Sequence, residues 1–222
     1  MTKLFVFKNN SDIEDILLDK VSLLSCAEKE RLDKYKYKRD RVMSLAGRLM
    51  LFSFAKRYRN EEFKRINLIE DPEIFKKENI KEFPLFYGEY GKAYDREGKV
   101  FFNISHSKEY CVLALSDTEI GVDIQEIKEI RADIAKRFFE KRDNDYIEAA
   151  GADKTLRFIE VWCIKESYAK LTGKGISEGF SKFYENFEKM EIVDASTNEV
   201  KAELEKYEID PLYCCYCARK TR

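Results

Sequence analysis

The stretch KTLRFIEVWCIKESYAKLTGKG, residues 154–175, predicts a long helix. Its apolar residues recur at helical spacing, and the glycines near its end are typical of a helix C-terminus. Trp162, Glu166 and Lys170 follow one another every four residues and therefore share one face of the helix. Glu166 before Lys170 is the favoured order for an ion pair along a helix, so a surface salt bridge is one interpretation of this pair.

Strand-like segments lie on both sides of this helix. Three of them precede it: VFFNIS (100–105), YCVLALS (110–116) and IGVDIQEI (120–127). Residues 107–109 are expected to form the turn between the first two. Residues 131–151 predict one or two further helices, and the chain from Phe180 onward has the character of strands.

The N-terminal part begins in the same way. KLFVF (3–7) predicts a strand, and residues 11–24 predict a helix capped by Ser11 or Asp12. Residues 27–59 form a long helical region. A glycine inside that region, Gly47, indicates that another element packs close to the helix.

The order of strand, helices and strands thus occurs twice along the chain. We therefore predict an α+β fold made of two α+β halves that meet near residues 100–108. The N-terminal lobe is expected to cover residues 1–104. The C-terminal lobe, residues 105–222, would carry the residues with the most distinctive chemistry.

Composition narrows the function classes. Of the 222 residues, 37% are charged and 44% are hydrophobic, which is typical of a globular protein with a charged surface. The formal net charge of -1 gives no global field that attracts nucleic acid. No segment approaches the roughly 18 apolar residues of a membrane span, and the N-terminal apolar run is too short for a signal peptide. We expect a cytoplasmic protein that binds neither nucleic acid nor membrane.

The cysteines do not form a recognisable zinc site. Cys214 and Cys217 make a CxxC, but a zinc site would need a second pair or nearby histidines. The run LYCCYCARK around them alternates like a strand. We expect reduced, buried strand cysteines.

Asp123 is a candidate for chemistry on a strand. In GVDIQ the side chains of Asp123 and Gln125 point to one face, and those of Val122 and Ile124 to the other. A half-exposed strand with its polar residues in water is one interpretation. A carboxylate held on a rigid strand as a ligand for a hard cation is the other.

His106 in FFNISHS is the only histidine of the chain. A single imidazole can serve as a general base, a phosphate contact or a buried structural residue. The loop GEYGKAYD (88–95) can bring backbone N–H groups and the Lys92 ammonium to a phosphate, although most such segments are ordinary turns. A cluster of basic residues either attracts an anion or is a solvated helix face: Lys34, Lys36, Lys38, Arg39 and Arg41.

Taken together and in order, six segments resemble the 4′-phosphopantetheinyl transferases, of the two-lobed Sfp-like group. They are AEKERL (27–32), KRDRVMSLAGRLML (38–51), GEYGKAYD (88–95), FNISHS (102–107), GVDIQ (121–125) and VWCIKESYAKLTGKG (161–175). The resemblance extends from about residue 27 to about residue 176. Its most specific parts are GVDI and W-x-x-KES-x-x-K.

The resemblance implies an activity and an architecture. Such enzymes move the phosphopantetheine arm of coenzyme A onto a serine hydroxyl of an acyl or peptidyl carrier protein. They require Mg²⁺ and release adenosine 3′,5′-bisphosphate. The implied fold is a pseudo-dimer of two similar α+β lobes with the active site in the cleft between them, and we expect a monomeric chain.

Residue roles follow from the same resemblance. Asp123 and Glu166 match metal ligands, with Glu166 also the base toward the carrier serine, and Lys170 is placed to stabilise the leaving group. Gln125 stands where many members have a glutamate, so it is a neutral candidate for the third metal ligand. The residues expected to bind coenzyme A are Arg31, Glu89, Tyr90, Gly91, Lys92, Ser105, His106 and Lys165. Arg31 and His106 would meet its 3′-phosphate.

Two departures from the family pattern leave alternatives open. Gln125 adds no charge to the metal site, and Ala93 replaces the proline that follows the glycine and lysine of the loop. A coenzyme A or nucleotide-binding protein that has lost transfer activity is therefore a second hypothesis. A nucleic-acid binder that uses the basic, tyrosine-rich helix is a third.

Overall fold

The computed structural model describes residues 1–78, 80, 83–129, 138–175 and 179–221. The chain forms two compact units. The first comprises Met1–Phe86 and Ala93–Asp117, and the second comprises Tyr87–Lys92 and Thr118–Arg222. Each unit contains both helices and a sheet, which confirms the α+β prediction.

The first unit is built on a sheet of four strands in the order β2-β1-β6-β5. β1 pairs with β2 in parallel and with β6 antiparallel, and β5 pairs antiparallel with β6. Its elements are β1 (Lys3–Lys8), α1 (Ser11–Asp19), α2 (Cys26–Leu32), α3 (Lys38–Phe54), β2 (Ile66–Ile69), β5 (Phe101–Ser107) and β6 (Tyr110–Ser116). A short pair of strands, β3 (Leu85–Tyr87) and β4 (Ala93–Asp95), flanks the loop 88–92.

The compact units differ from the lobes expected at residues 1–104 and 105–222. Residues 105–117 belong to the first unit because β5 and β6 are hydrogen-bonded along their whole length. The loop Tyr87–Lys92 groups with the second unit. The predicted turn after Ser107 is present, with Lys108 at a positive φ of 51°.

The helices of the first unit differ in detail from the sequence prediction. The first helix is capped by Asn10, whose side-chain oxygen accepts hydrogen bonds from the backbone of Asp12 and Ile13, rather than by Ser11 or Asp12. The predicted long helix is interrupted between α2 and α3. Residues 33–37, between the two helices, are all exposed, so no packing holds them in a helix.

Gly47 lies at the contact between α3 and the sheet. A Cβ added there would come within 2.7 Å of Ile104 Cγ2 and within 3.4 Å of the Cys111 sulfur. The prediction of a close neighbour is confirmed.

The second unit is built on an antiparallel sheet of five strands in the order β7-β11-β10-β9-β8. Its elements are β7 (Ile120–Glu126), α4 (Lys141–Ala149), α5 (Lys154–Thr172), β8 (Phe183–Asn186), β9 (Glu191–Asp194), β10 (Val200–Lys206) and β11 (Tyr213–Lys220). Part of the predicted helical segment 131–151 lies outside the described residues. The strands predicted after Phe180 are confirmed.

Helix α5 packs across β7 and β11. It ends at Thr172, and the capping residue Gly173 has a φ of 75°, a conformation that favours glycine. The cysteines of β11 are buried and unbridged, as predicted: Cys214, Cys215 and Cys217. Within the described part of the chain, no helix is both long enough and apolar enough to cross a membrane.

Candidate active site

Strand β7 presents two polar side chains on one face. Asp123 is only 1% exposed, so the interpretation that places it in water is wrong. The Gln125 side-chain nitrogen donates a hydrogen bond to Asp123 Oδ2 at 2.9 Å. A buried carboxylate needs polar partners, and Gln125 is one of them.

Helix α5 provides the second partner of Asp123. The Lys170 ammonium donates to Asp123 Oδ1 at 2.6 Å. Although burial lowers the pKa of Lys170, the charge and hydrogen bond of Asp123 outweigh that effect and raise it. Lys170 is therefore a stable cation whose partner is an aspartate on the strand. Its expected surface salt bridge with Glu166 is not the interaction that the structure shows.

Glu166 lies half-buried on the same face of α5, one turn before Lys170. Burial raises the pKa of Glu166, the negative charge of Asp123 raises it further, and Lys170 lowers it. The effect of Asp123 indicates that the two carboxyl groups are close enough to repel each other. A carboxylate with a raised pKa is also a better proton acceptor at neutral pH.

The donor set fits a hard divalent cation. Mg²⁺ is commonly held by one or two protein carboxylates together with phosphate oxygens and water. Asp123 and Glu166 provide two carboxylates that repel each other, and a cation would relieve this repulsion. Among the described residues, no group of three or more His, Cys, Asp and Glu side chains is placed to bind a metal. Two carboxylates would thus leave the remaining coordination positions to other oxygens, including the Gln125 amide.

The backbone that carries these residues is fixed by close packing. The buried Cys163 thiol donates to the backbone oxygen of Asp123 at 3.2 Å. A Cβ added at Gly121 would lie 2.1 Å from the backbone oxygen of Ser167 and 2.3 Å from the backbone nitrogen of Leu171. Only glycine permits this approach of β7 to α5, which brings Asp123 within reach of Lys170.

Lys165, the neighbour of Glu166, points into the interior and not toward this site. Its side chain is completely buried, 2.9 Å from an Asp143 oxygen and 3.3 Å from a Glu185 oxygen. The ammonium also donates to the backbone oxygens of Phe180 and Phe183. This placement does not support the predicted contact with coenzyme A, because buried protein acceptors surround the ammonium.

Within the second unit, Lys92 connects the loop 88–92 to β7 and α5. Its ammonium donates to the backbone oxygen of Leu171 at 2.7 Å and to that of Ile120 at 3.2 Å. The loop itself is a tight turn, with Gly91 at a φ of 81°. Tyr90 is 62% exposed at its tip, and Glu89 is exposed beside it.

The remaining predicted residues lie in the first unit. Ser105 and His106 follow each other on β5, so their side chains point to opposite faces; Ser105 is 5% exposed, whereas His106 is exposed. Arg31 lies on α2 with its Nε 3.8 Å from Glu28 Oε1, and Arg48 on α3 lies 3.1 Å from the other oxygen of the same carboxylate.

Sequence reasoning missed the residues that position this site. Gly121 carried a usable signal, since a glycine inside a strand often marks a close backbone approach. The sequence gives no comparable signal for Asp143 and Glu185, because nothing near them in the chain pairs them with Lys165.

The second unit thus brings two carboxylates, an amide and an ammonium together on a strand and the helix packed against it. This combination defines a site suited to phosphate chemistry with a divalent cation. Family models match almost the whole chain: "4′-phosphopantetheinyl transferase, N-terminal" over residues 11–118 and "4′-phosphopantetheinyl transferase superfamily" over residues 119–218. The chain belongs to the 4′-phosphopantetheinyl transferase superfamily, in its Sfp-like group.

Individual relatives agree with this assignment. The chain is 31% identical to the 4′-phosphopantetheinyl transferase gsp of Aneurinibacillus migulanus, over 73% of this chain and 62% of that protein. It is 36% identical to the 4′-phosphopantetheinyl transferase psf-1 of Bacillus pumilus over 54% and 53% of the two chains. With the 4′-phosphopantetheinyl transferase Sfp of Bacillus subtilis, the identity is 33% over 50% and 51%. The matched part therefore spans between 51% and 62% of the length of these relatives.

Proposed function

We propose that this protein transfers the 4′-phosphopantetheine arm of coenzyme A to a serine hydroxyl of an apo acyl or peptidyl carrier protein. The observation that carries the proposal is the arrangement of Asp123, Glu166 and Lys170. These residues lie together on β7 and α5. They are the positions at which the resemblance to the family predicts its catalytic residues. The names of the similar proteins support the same reaction.

In the proposed reaction, the serine oxygen attacks the β-phosphorus of coenzyme A. A new P–O bond to serine forms, and the bond to the bridging oxygen of the pyrophosphate breaks. The serine proton passes to Glu166, whose burial and neighbouring Asp123 raise its pKa and favour proton uptake. The adenosine 3′,5′-bisphosphate that leaves carries the electron pair of the broken bond.

Lys170 and the metal ligands provide the charges that this reaction needs. The Lys170 ammonium, whose pKa Asp123 raises, is placed to stabilise or protonate the leaving oxygen. Asp123 and Glu166 would hold Mg²⁺, with Gln125 as a neutral third ligand. When bound, Mg²⁺ offsets the negative charge of the phosphates.

The nucleotide end of coenzyme A is assigned to other residues. We propose that Arg31 and His106 contact the 3′-phosphate together with the Ser105 segment, and that Glu89, Tyr90 and Gly91 contact the adenine nucleotide. The exposure of His106 and Tyr90 supports these assignments. Lys165 is not carried over, because its ammonium is buried among protein acceptors. We also propose that the protein acts in the cytoplasm as a monomer, without nucleic acid or membrane partners.

A direct assay tests the proposal. The protein is incubated with coenzyme A, Mg²⁺ and several apo carrier proteins, and the carriers are weighed by mass spectrometry. A mass gain equal to the phosphopantetheine arm is expected, and a carrier with alanine in place of its acceptor serine should gain none. If every carrier stays unmodified while coenzyme A still binds, the protein is instead a binding protein without transfer activity. The intact set of Asp123, Glu166 and Lys170 does not favour that alternative.

A further inference from the structure

The hydrogen bonds of the Lys92 ammonium have no role in the proposed reaction. The ammonium is directed at two backbone carbonyls of the second unit, those of Ile120 and Leu171. Ile120 begins β7, the strand of Asp123, and Leu171 follows Lys170 on α5. One ammonium therefore bonds to both elements that carry the candidate active site.

The two carbonyls are close because β7 and α5 touch backbone to backbone. The contact is made at Gly121, where a Cβ would fall 2.3 Å from the Leu171 nitrogen and 2.9 Å from its Cα. The residues on either side of this contact supply the acceptors, Ile120 from the strand and Leu171 from the helix. Lys92 thus binds beside a close backbone contact between the strand and the helix.

The end of a helix needs such a donor. The carbonyl of Leu171 lies in the last turn of α5, beyond the carbonyls that accept a backbone N–H from four residues further along the helix. A cation at this end also interacts favourably with the helix dipole. Burial lowers the pKa of Lys92 to about 8, while the charge of Glu119 opposes that effect, so the side chain is still mostly an ammonium at pH 7.

We infer that Lys92 is a positioning residue for the transfer step, which fixes the end of α5 against β7 and so sets the separation of Lys170 and Glu166 from Asp123. It does so from the loop whose residues Glu89, Tyr90 and Gly91 are proposed to contact the nucleotide. The kinetic part of this inference rests on the proposed function. The structural part, the hydrogen bonds from Lys92 of the loop to the two backbone carbonyls, does not depend on the proposed function.

The inference is tested with Lys92→Met, Lys92→Arg and the control Lys189→Met, which changes an exposed lysine of the same unit. In Lys92→Met, amide hydrogen exchange in the last turn of α5 should accelerate by about tenfold or more. kcat for transfer should fall by about tenfold, while the dissociation constant of coenzyme A, from calorimetry, changes by less than about threefold. The control should match the unmodified protein in all three measurements.

An opposite pattern would overturn the inference. If Lys92→Met weakens coenzyme A binding by about tenfold and leaves kcat and amide exchange unchanged, then Lys92 binds the nucleotide directly. Should Lys92→Met not fold, Lys92→Arg decides, because it keeps a cationic donor and is expected to retain kcat and slow exchange. Loss of coenzyme A affinity alone in Lys92→Arg would again count against the positioning role. If the unmodified protein shows no transfer, the proposed function is wrong. Amide exchange in the last turn of α5 still tests whether the hydrogen bonds of Lys92 stabilise that turn.

Discussion

The ammonium of Lys170 on helix α5 lies 2.6 Å from a carboxylate oxygen of Asp123 on strand β7. The side chain of Asp123 is 2% exposed, and that of Lys170 is 30% exposed. The pair joins the two elements that carry the candidate active site. Glu166, one turn earlier on the helix, is influenced by both charges: that of Asp123 raises its pKa and that of Lys170 lowers it.

Replacing Lys170 should destabilise the protein and impair transfer. Lys170→Met removes the ammonium that bonds to the buried Asp123 carboxylate, so we expect the free energy of unfolding to fall by about 1–3 kcal/mol. We expect kcat to fall by about a hundredfold, as for the loss of one donor to a developing charge. Urea denaturation at pH 7 and the mass-shift assay measure the two effects.

Lys201→Met is the matched control for the stability measurement. Its side chain is 34% exposed and forms surface ion pairs with Glu199 and Asp194. Such pairs contribute little, so a loss of no more than about 1 kcal/mol is expected. Adding Asp123→Asn to Lys170→Met should recover part of the lost stability because the double variant buries no negative charge at this position. Equal losses in the two lysine variants would contradict the importance of the buried pair.

Glu166→Ala should abolish transfer and leave coenzyme A binding largely intact. Loss of a general base reduces rates by about a hundredfold to ten-thousandfold, and loss of a metal ligand adds to this effect. The rate is measured by the mass shift of an apo carrier, and binding by calorimetry. Glu188→Ala, at an exposed position of the same unit, is the control. Retained turnover in Glu166→Ala would rule out the base role.

His106→Ala should weaken binding of coenzyme A by about tenfold, the usual effect of removing a hydrogen bond to a charged group. Dephospho-coenzyme A lacks the 3′-phosphate, so its dissociation constant should change far less. Calorimetric titration of both ligands into both proteins gives the comparison. Equal losses for the two ligands would mean that His106 contacts another part of the nucleotide or acts through the structure of β5.

The sequence predicted the elements of this site better than their contacts. Local periodicity predicted the strand of Asp123 and the helix of Glu166 and Lys170. Elsewhere in the chain, the glycine at position 47 predicted a closely packed neighbour of its helix. The partners of these side chains depend on packing between elements that are distant in sequence. Periodicity therefore suggested Glu166 as the partner of Lys170, although the structure pairs Lys170 with Asp123.

The same limit explains the position of Lys165. Its place beside Glu166 suggested a phosphate contact, yet adjacent residues on a helix point in different directions. Lys165 faces α4 and β8, where Asp143 and Glu185 lie. No local pattern could predict those partners, since each lies on another element.

Gly121→Ala tests whether the close contact between β7 and α5 is needed. The new Cβ would meet backbone atoms of Ser167 and Leu171, which cannot move without shifting the helix. We expect a loss of about 1–3 kcal/mol in the free energy of unfolding, together with reduced transfer, because Asp123 and Lys170 would separate.

Gly98→Ala is the control variant: the φ of Gly98 is 64°, and nothing lies within 4 Å of an added Cβ. That variant should lose about 1–2 kcal/mol from backbone strain and keep its kcat. An unchanged kcat in a folded Gly121→Ala protein would contradict the link between this contact and the reaction.

The buried cluster of Lys165, Asp143 and Glu185 makes stability depend on pH. Two carboxyl groups share one ammonium, and Asp143 is the nearer of the two. Burial raises the pKa of Glu185 to about 7, the charge of Lys165 opposes this, and that of Asp143 adds to it. Between the ordinary pKa of a glutamate and pH 7, the folded protein therefore holds a proton that the unfolded chain has released. The free energy of unfolding should accordingly fall as the pH rises through this range.

Glu185→Gln removes this titration while keeping the shape of the side chain. The variant should be close to the unmodified protein in stability at pH 5 and more stable than it at pH 8. Urea denaturation at intervals between these two pH values measures the difference, with Glu188→Gln as the exposed control. If the unmodified protein is instead the more stable of the two at pH 8, the ionised Glu185 gains more from Lys165 than it loses by burial. In that case the cluster would be a stabilising ion pair at neutral pH, and the pH dependence would have the opposite sign.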